Sequence, residues 1–182
     1  MILAGGAGSR LSGMDKPAIE LDGRSLLARA VDAVRDAGEI VVVGPERPLS
    51  RAVRWTREDP PGTGPVAALA AGLAALGAAP EVVVLAADLP GVGADTVARL
   101  RAALAAAPAA AGALLVDAGG RRQWLLGVWR LDRLRAAMPA EPAGRALRRT
   151  LGGLPFLELA AEPGESEDVD TPEDLARLRE RR

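Results

Sequence analysis

The chain has 182 residues, and its 23 lysines and arginines against 24 aspartates and glutamates leave a formal net charge of −1. That length suits one domain with a sizeable core, and the balanced charge supplies no global basic field for nucleic acid. There is no cysteine and no histidine, which excludes disulfides, thiolate nucleophiles, iron–sulfur clusters and imidazole catalysis. Any metal must then be held by oxygen, a donor set that suits Mg²⁺. No apolar run approaches a membrane span and no signal peptide precedes the core, so a cytoplasmic location is expected.

Residues 1–4 are apolar and read as the end of a buried strand. Gly5, Gly6, Gly8 and Gly13 follow, with Ser9, Arg10 and Lys16 among them. Glycine tolerates positive φ and has no Cβ, so backbone N–H groups can approach a bulky anion, and the two cations add full charges. A strand running into such a loop predicts a triphosphate cradle. The Walker pattern fails because Pro17 follows Lys16, and the dinucleotide fingerprint fails because its third glycine would fall at Leu11. A strand starting at Met1 is short for a central position, where about five or six residues are usual. Two readings follow, native residues upstream of Met1 or a truncated strand edge.

Beyond the loop, residues 17–22 read as a connector and 24–37 as an amphipathic helix that Gly38 terminates, with Leu26, Leu27, Ala30, Val31 and Val34 on one face. The apolar run 40–43 fits a parallel strand covered on both faces, and 51–56 a further short strand. Residues 65–76 form an alanine-rich helix with Pro65 in its first turn. Residues 82–87 make the clearest buried strand. A helix over 92–107, strands over 113–116 and 125–129, helices over 131–138 and 144–151, a strand over 156–159 and a helix over 172–181 complete the chain. This alternation predicts a three-layer, Rossmann-like α/β sandwich around a mostly parallel twisted sheet, one domain over residues 1–182.

Function in such sheets gathers at the carboxyl ends of the strands. Asp88 directly follows the 82–87 strand in Ala-Ala-Asp-Leu-Pro, where a carboxylate is placed to hold Mg²⁺ beside a triphosphate. An N-cap or turn aspartate before Pro90 is the structural alternative. In the stretch 58–66, Gly64-Pro65 opens a helix whose free N–H groups can face a ligand. Asp59 precedes it as a carboxylate able to accept from a base or ribose, or as a solvated acid in a proline-rich loop.

The order Leu3-Ala4-Gly5-Gly6, Arg10, Lys16, Asp59…Gly64-Pro65, Ala87-Asp88-Leu-Pro and Asp168-Val-Asp170-Thr-Pro-Glu-Asp-Leu resembles the molybdenum cofactor guanylyltransferases, the MobA-like branch of the nucleotidyltransferase superfamily. Gln123-Trp124-Leu-Leu-Gly also resembles that branch. The resemblance implies a nucleotidyltransferase fold, GTP and molybdopterin as substrates and Mg²⁺ as cofactor. Leu3, Ala4, Gly5 and Gly6 would contact the nucleotide through backbone, Lys16 and Arg10 its phosphates, and Asp59 and Gly64 would help bind it. Asp88 would bind both nucleotide and metal, with Asp170 a second metal-side carboxylate that also fits a helix cap. Arg121, Arg122 and Gln123 are candidate acceptor contacts. One departure is that the loop after the second strand, Gly44-Pro45-Glu46-Arg47, lacks the asparagine that the family often has there.

The implied reaction needs no protein nucleophile: the acceptor phosphate attacks the α-phosphorus of GTP and pyrophosphate leaves. A second reading transfers CMP or another nucleotide to molybdopterin or a sugar phosphate. A third is a non-catalytic nucleotide-binding partner protein, against which the intact Arg10, Lys16, Asp59 and Asp88 argue.

Overall fold

The computed structural model describes residues 1–5, 15–169, 171, 173–175 and 177. Seven strands form one sheet in the order β5 (Arg54–Thr56), β4 (Val41–Val43), β1 (Ile2–Leu3), β6 (Glu81–Ala86), β8 (Arg122–Arg130), β7 (Gly112–Val116) and β9 (Phe156–Ala160). Strands β5, β4, β1 and β6 run parallel, β7 pairs with β9 in parallel, and β8 is antiparallel to both β6 and β7. The sheet is therefore mostly parallel, as the β–α alternation requires. The predicted strand at 125–129 is the inner part of β8, and its direction, which an apolar pattern does not encode, runs against its neighbours.

Helices cover both faces, giving three layers. Ile2, Val42 and Leu85 point to one side, where Leu27 and Val31 of α1 (Leu26–Ala33) meet Val97, Leu100 and Leu104 of α3 (Ala94–Ala106). Leu3, Val41, Val43, Val82 and Val84 point to the other, against Leu69 and Leu73 of α2 (Pro65–Ala75), Leu131 and Leu134 of α4 (Leu131–Ala136) and Leu151 of α5 (Leu147–Leu151). Adjacent strand residues alternate between the two cores, as the twofold period of a strand requires. At Gly72 in α2 a Cβ would stand 2.0 Å from the Met1 sulfur and 2.8 Å from Val43 Cγ2, so only glycine lets this helix lie so close to the sheet.

Strand β1 is two residues long yet bonded on both sides. Ala4 N–H donates to Val43 O (2.8 Å) and Ala87 N–H to Leu3 O (3.0 Å). The Met1 ammonium donates to Val83 O (2.7 Å), and burial lowers its pKa to about 5 against the opposing pull of Glu39.

Local chemistry moves several boundaries. Helix α1 ends at Ala33 rather than 37 because Val34, Arg35 and Ala37 take i−3 carbonyls instead, while Arg51 donates to the carbonyls of Arg35 and Ala37. Helix α5 starts at Leu147 rather than 144, since Gly144 has φ +67° and sends its N–H to Thr63 O (2.8 Å). The connector expected at 17–22 holds a 3₁₀ turn, Lys16–Ala18, and a hairpin, β2 (Glu20–Leu21) with β3 (Arg24–Ser25), closed by Asp22 and Gly23 at positive φ.

After β9 the chain returns over the sheet end. Glu165, buried, accepts from Thr96 Oγ1 (2.5 Å), Arg99 Nη1 (2.8 Å) and the Glu162 N–H (2.7 Å). Val169 N–H then reaches Asp88 O (3.2 Å), and its side chain packs with Ile19, Leu21 and Leu26. Thr171 and Asp174 cap each other's backbone N–H groups, the helix start read at that point; residues 173–175 and 177 are helical.

Burial opposes ionisation of Glu165, but the bonds from Thr96, Glu162 and Arg99 outweigh it and hold the carboxyl below its ordinary pKa. A lowered folded-state pKa contributes stability above the unfolded value near 4.5 that disappears as pH falls through the folded value. Glu165→Gln is therefore expected to cost about 1–3 kcal/mol at pH 7. In urea titrations the difference from wild type should shrink below pH 4.5; a pH-independent difference would contradict the ionised role.

Candidate nucleotide site

A cleft of about 900 Å³ opens at the carboxyl ends of β1, β4 and β6, where successive strands lie on opposite sides of β1. Leu3, Ala4 and Gly5 form its floor and lead into the glycine-rich segment; the chain re-enters at Asp15 and Lys16. One wall is the β5–α2 connection with Glu58, Gly62, Gly64 and Pro65, and the other is Ala86, Ala87 and Asp88 at the end of β6, with Leu125 of β8 beside it. Its described charges are Lys16, Arg47 and Arg57 against Asp15, Glu58 and Asp88. Anionic and cationic groups thus share one concave surface, suited to a triphosphate and the metal that accompanies it.

The floor is fixed by backbone contact. Gly44, with φ +149°, lies so near β1 that a Cβ there would sit 2.8 Å from Ala4 C and O and 2.9 Å from Gly5 N. Arg47, in the same loop, ties the two ends of the glycine-rich segment together. Its Nε and Nη2 donate to the two carboxylate oxygens of Asp15 (2.7 and 2.5 Å), and its Nη1 donates to Ala4 O (3.2 Å) and Pro45 O (2.9 Å). A planar guanidinium suits this fork; the Arg47 side chain is 12% exposed and that of Asp15 51%.

The residues predicted for the site divide into three groups. Leu3, Ala4, Gly5, Lys16, Gly64 and Asp88 line the cleft. Gly6, Arg10 and Asp170 lie outside the described residues. Asp59, Arg121, Arg122 and Gln123 are not among the described lining. Asp59 is exposed, whereas its neighbour Glu58 is buried and does line the cleft. Gln123 Nε2 donates to Asp117 Oδ2 (3.0 Å) in the β7–β8 turn, and Arg122 pairs with Glu158 (2.7 Å) and sits over the rings of Trp124 and Phe156.

Asp15, Arg47 and Glu58 were not singled out from the sequence. The signal for Arg47 was the unusual loop after β4, read only as a missing asparagine. For a metal, no group of three or more Asp or Glu gathers among the described residues. Mg²⁺ commonly takes one or two carboxylates and completes its shell with water and substrate phosphate, so Asp88 in a triphosphate-sized cleft fits that donor set.

Residues 1–155 match the model of the MobA-like NTP transferase domain, and the chain belongs to that family. A molybdenum cofactor guanylyltransferase from Rhodobacter capsulatus is 33% identical, the match covering 100% of this chain and 94% of that protein. Another of that name from Bradyrhizobium sp. (strain ORS 278) is 32% identical over 82% of this chain and 76% of its own. Among solved structures, molybdopterin-guanine dinucleotide biosynthesis protein A from Archaeoglobus fulgidus superposes with a TM-score of 0.76 at 20% identity, covering 98% of this chain and 95% of the other. The 2-C-methyl-D-erythritol 4-phosphate cytidylyltransferase of Thermus thermophilus gives 0.72 at 22% identity, covering 99% and 96%. These structures share the fold. No helix among the described residues is long and apolar enough to cross a membrane.

Gly44→Ala is expected to destabilise the protein by about 1–3 kcal/mol, because backbone rather than a flexible side chain must yield. Urea midpoints at unchanged m read this directly; a wild-type midpoint would show that the Ala4–Gly5 peptide can move without cost.

Proposed function

We propose that this chain transfers GMP from GTP to the terminal phosphate of molybdopterin, releasing pyrophosphate, in molybdenum cofactor biosynthesis. The observation that carries this reading is the relative from Rhodobacter capsulatus named molybdenum cofactor guanylyltransferase, whose similarity spans the whole chain, cleft and all. The similarity of fold to a cytidylyltransferase, at 22% identity, carries no substrate preference.

In this reading the triphosphate lies across the backbone of Leu3, Ala4 and Gly5, with Lys16 at the exit of the glycine-rich segment neutralising its charge. Arg10, within that segment, adds a second cation. Arg47 positions Lys16 by fixing Asp15 next to it, so the ammonium is held before the substrate arrives. Asp88 would hold Mg²⁺, which polarises the phosphates and neutralises developing charge when bound. The acceptor's phosphate oxygen forms the new bond to the α-phosphorus as the bond to the bridging oxygen of pyrophosphate breaks in line. Lys16 and Arg10 receive the charge that gathers on the leaving group. With no histidine or cysteine in the chain, positioning and charge neutralisation carry the rate.

Asp88→Ala is expected to lower turnover by roughly 10²–10³-fold while leaving the melting temperature near wild type. Its main-chain carbonyl, which the substitution keeps, is the group that holds Val169 N–H. Pyrophosphate release with GTP, molybdopterin and Mg²⁺ measures it, and wild-type turnover in the variant would remove Asp88 from the site.

A further inference from the structure

The segment 162–169 that follows β9 is fastened by a buried charge. Glu165 accepts from Thr96 Oγ1 (2.5 Å) and Arg99 Nη1 (2.8 Å) at Oε1, and from Glu162 N–H (2.7 Å) at Oε2. Arg99 also pairs with Glu162 (2.9 Å) and donates to Ala160 O (3.2 Å), so the anchor reaches the end of β9. A buried carboxylate with both oxygens satisfied resists displacement, because moving it strands a charge.

What this anchor holds is the loop that carries Asp88. The Thr96 hydroxyl also accepts from Gly93 N–H (3.3 Å) at the far end of that loop. In the middle, Gly91 lies so close to Gly164 that a Cβ would stand 2.1 Å from Gly164 O and 2.6 Å from Gly164 C. At the near end Val169 N–H donates to Asp88 O (3.2 Å). Val169 also meets the other side of the cleft. Its buried side chain packs with Ile19, Leu21 and Leu26, and Ile19 N–H bonds to Lys16 O (3.0 Å). One residue of the return segment therefore joins the Asp88 main chain to the apolar cluster under the Lys16 turn.

From these contacts we infer that Glu165 is a positioning residue for the transfer reaction: by anchoring the return segment it sets where Asp88 stands relative to Lys16. The inference rests on the Mg²⁺ and GTP reading proposed above. A metal ion shared between a carboxylate and a triphosphate links the two groups, so its hold on the nucleotide depends on their spacing. Neither Glu165 nor Val169 is among the described lining of the cleft, and their influence passes through the backbone of 88–93. Loss of the anchor therefore weakens the gain in GTP affinity that Mg²⁺ brings, and leaves metal-free binding at Lys16 and the β1 backbone in place.

The test is calorimetric GTP affinity with and without Mg²⁺, on wild type, Glu165→Gln, Gly91→Ala and Leu104→Ala, at a temperature where each is folded. Glu165→Gln sets an amide N–H₂ against either the Glu162 N–H or the Arg99 guanidinium. Gly91→Ala wedges the Asp88 loop away from Gly164 and keeps the Glu165 carboxylate. Leu104, buried in the α1–α3 core, controls for lost stability alone. Mg²⁺ should raise GTP affinity in wild type. In Glu165→Gln and in Gly91→Ala that gain should fall by about tenfold, the lower end of what outer-shell substitutions cost in metal affinity. Metal-free GTP affinity should stay at the wild-type level in both, and Leu104→Ala should keep the full gain. An undiminished gain in Glu165→Gln or Gly91→Ala, an equal loss with and without metal, or a matching loss in Leu104→Ala would each overturn the positioning role while leaving GTP and Mg²⁺ as ligands. Wild type that binds no GTP, or whose affinity ignores Mg²⁺, would overturn the parent reading instead. Thr96→Val, which removes the hydroxyl joining the Asp88 loop to Glu165, replaces whichever of the two variants does not fold, with the same expected loss.

Discussion

The structure depends on where β1 stops. Two residues, Ile2 and Leu3, are held between β4 and β6, and Ala4 is still bonded to Val43 when the chain leaves the sheet at Gly5. That release point fixes the floor of the cleft, because β4 and β6 flank it and their ends supply Arg47 and Asp88. Gly44 enforces it from one side by leaving no room for a side chain against the Ala4–Gly5 peptide. Gly72 enforces it from below by letting α2 lie on Met1 and Val43. A shift of β1 by a fraction of an ångström would be transmitted to every wall, since packed interiors do not deform continuously.

Electrostatics adds a second layer of preorganisation. Arg47 bridges the entry and exit of the glycine-rich segment through three hydrogen bonds, two to Asp15 and one to Ala4 O, and a fourth to Pro45 O fixes it in its own loop. The return segment at 162–169 does the same for the opposite wall, with Glu165 fastening it to α3 and Val169 meeting Asp88. The cleft thus has rigid boundaries built from long-range contacts, while the chemistry is left to charges whose placement those contacts decide.

Much of this was legible in the sequence. The buried strands at 40–43 and 82–87, the helices at 65–76 and 92–107, and Asp88 at a strand end followed from apolar runs and turn chemistry, and each falls within a residue or two of its place. What escaped depends on tertiary pairing. The antiparallel sense of β8 has no local signature, and its polar start at Arg122 and Gln123 concealed its length. The β2–β3 hairpin was too short for periodicity, although Asp22-Gly23 is a turn signal. At the site, Glu58 and Asp59 are chemically alike in sequence, and only the packed path of the β5–α2 loop turns one inward. Arg47 and Asp15 are separated by 32 positions and meet through the fold alone.

Direct nucleotidyl transfer by a positioned triphosphate, as proposed above, needs no covalent protein intermediate. Wild-type protein incubated with molybdopterin, Mg²⁺ and GTP radiolabelled at either its α- or its γ-phosphorus tests it most directly. In direct transfer the α-label moves to the acceptor, the γ-label leaves in pyrophosphate, and the protein itself stays unlabelled. Gamma-label appearing as inorganic phosphate or on the acceptor, or α-label retained on the protein, would contradict it.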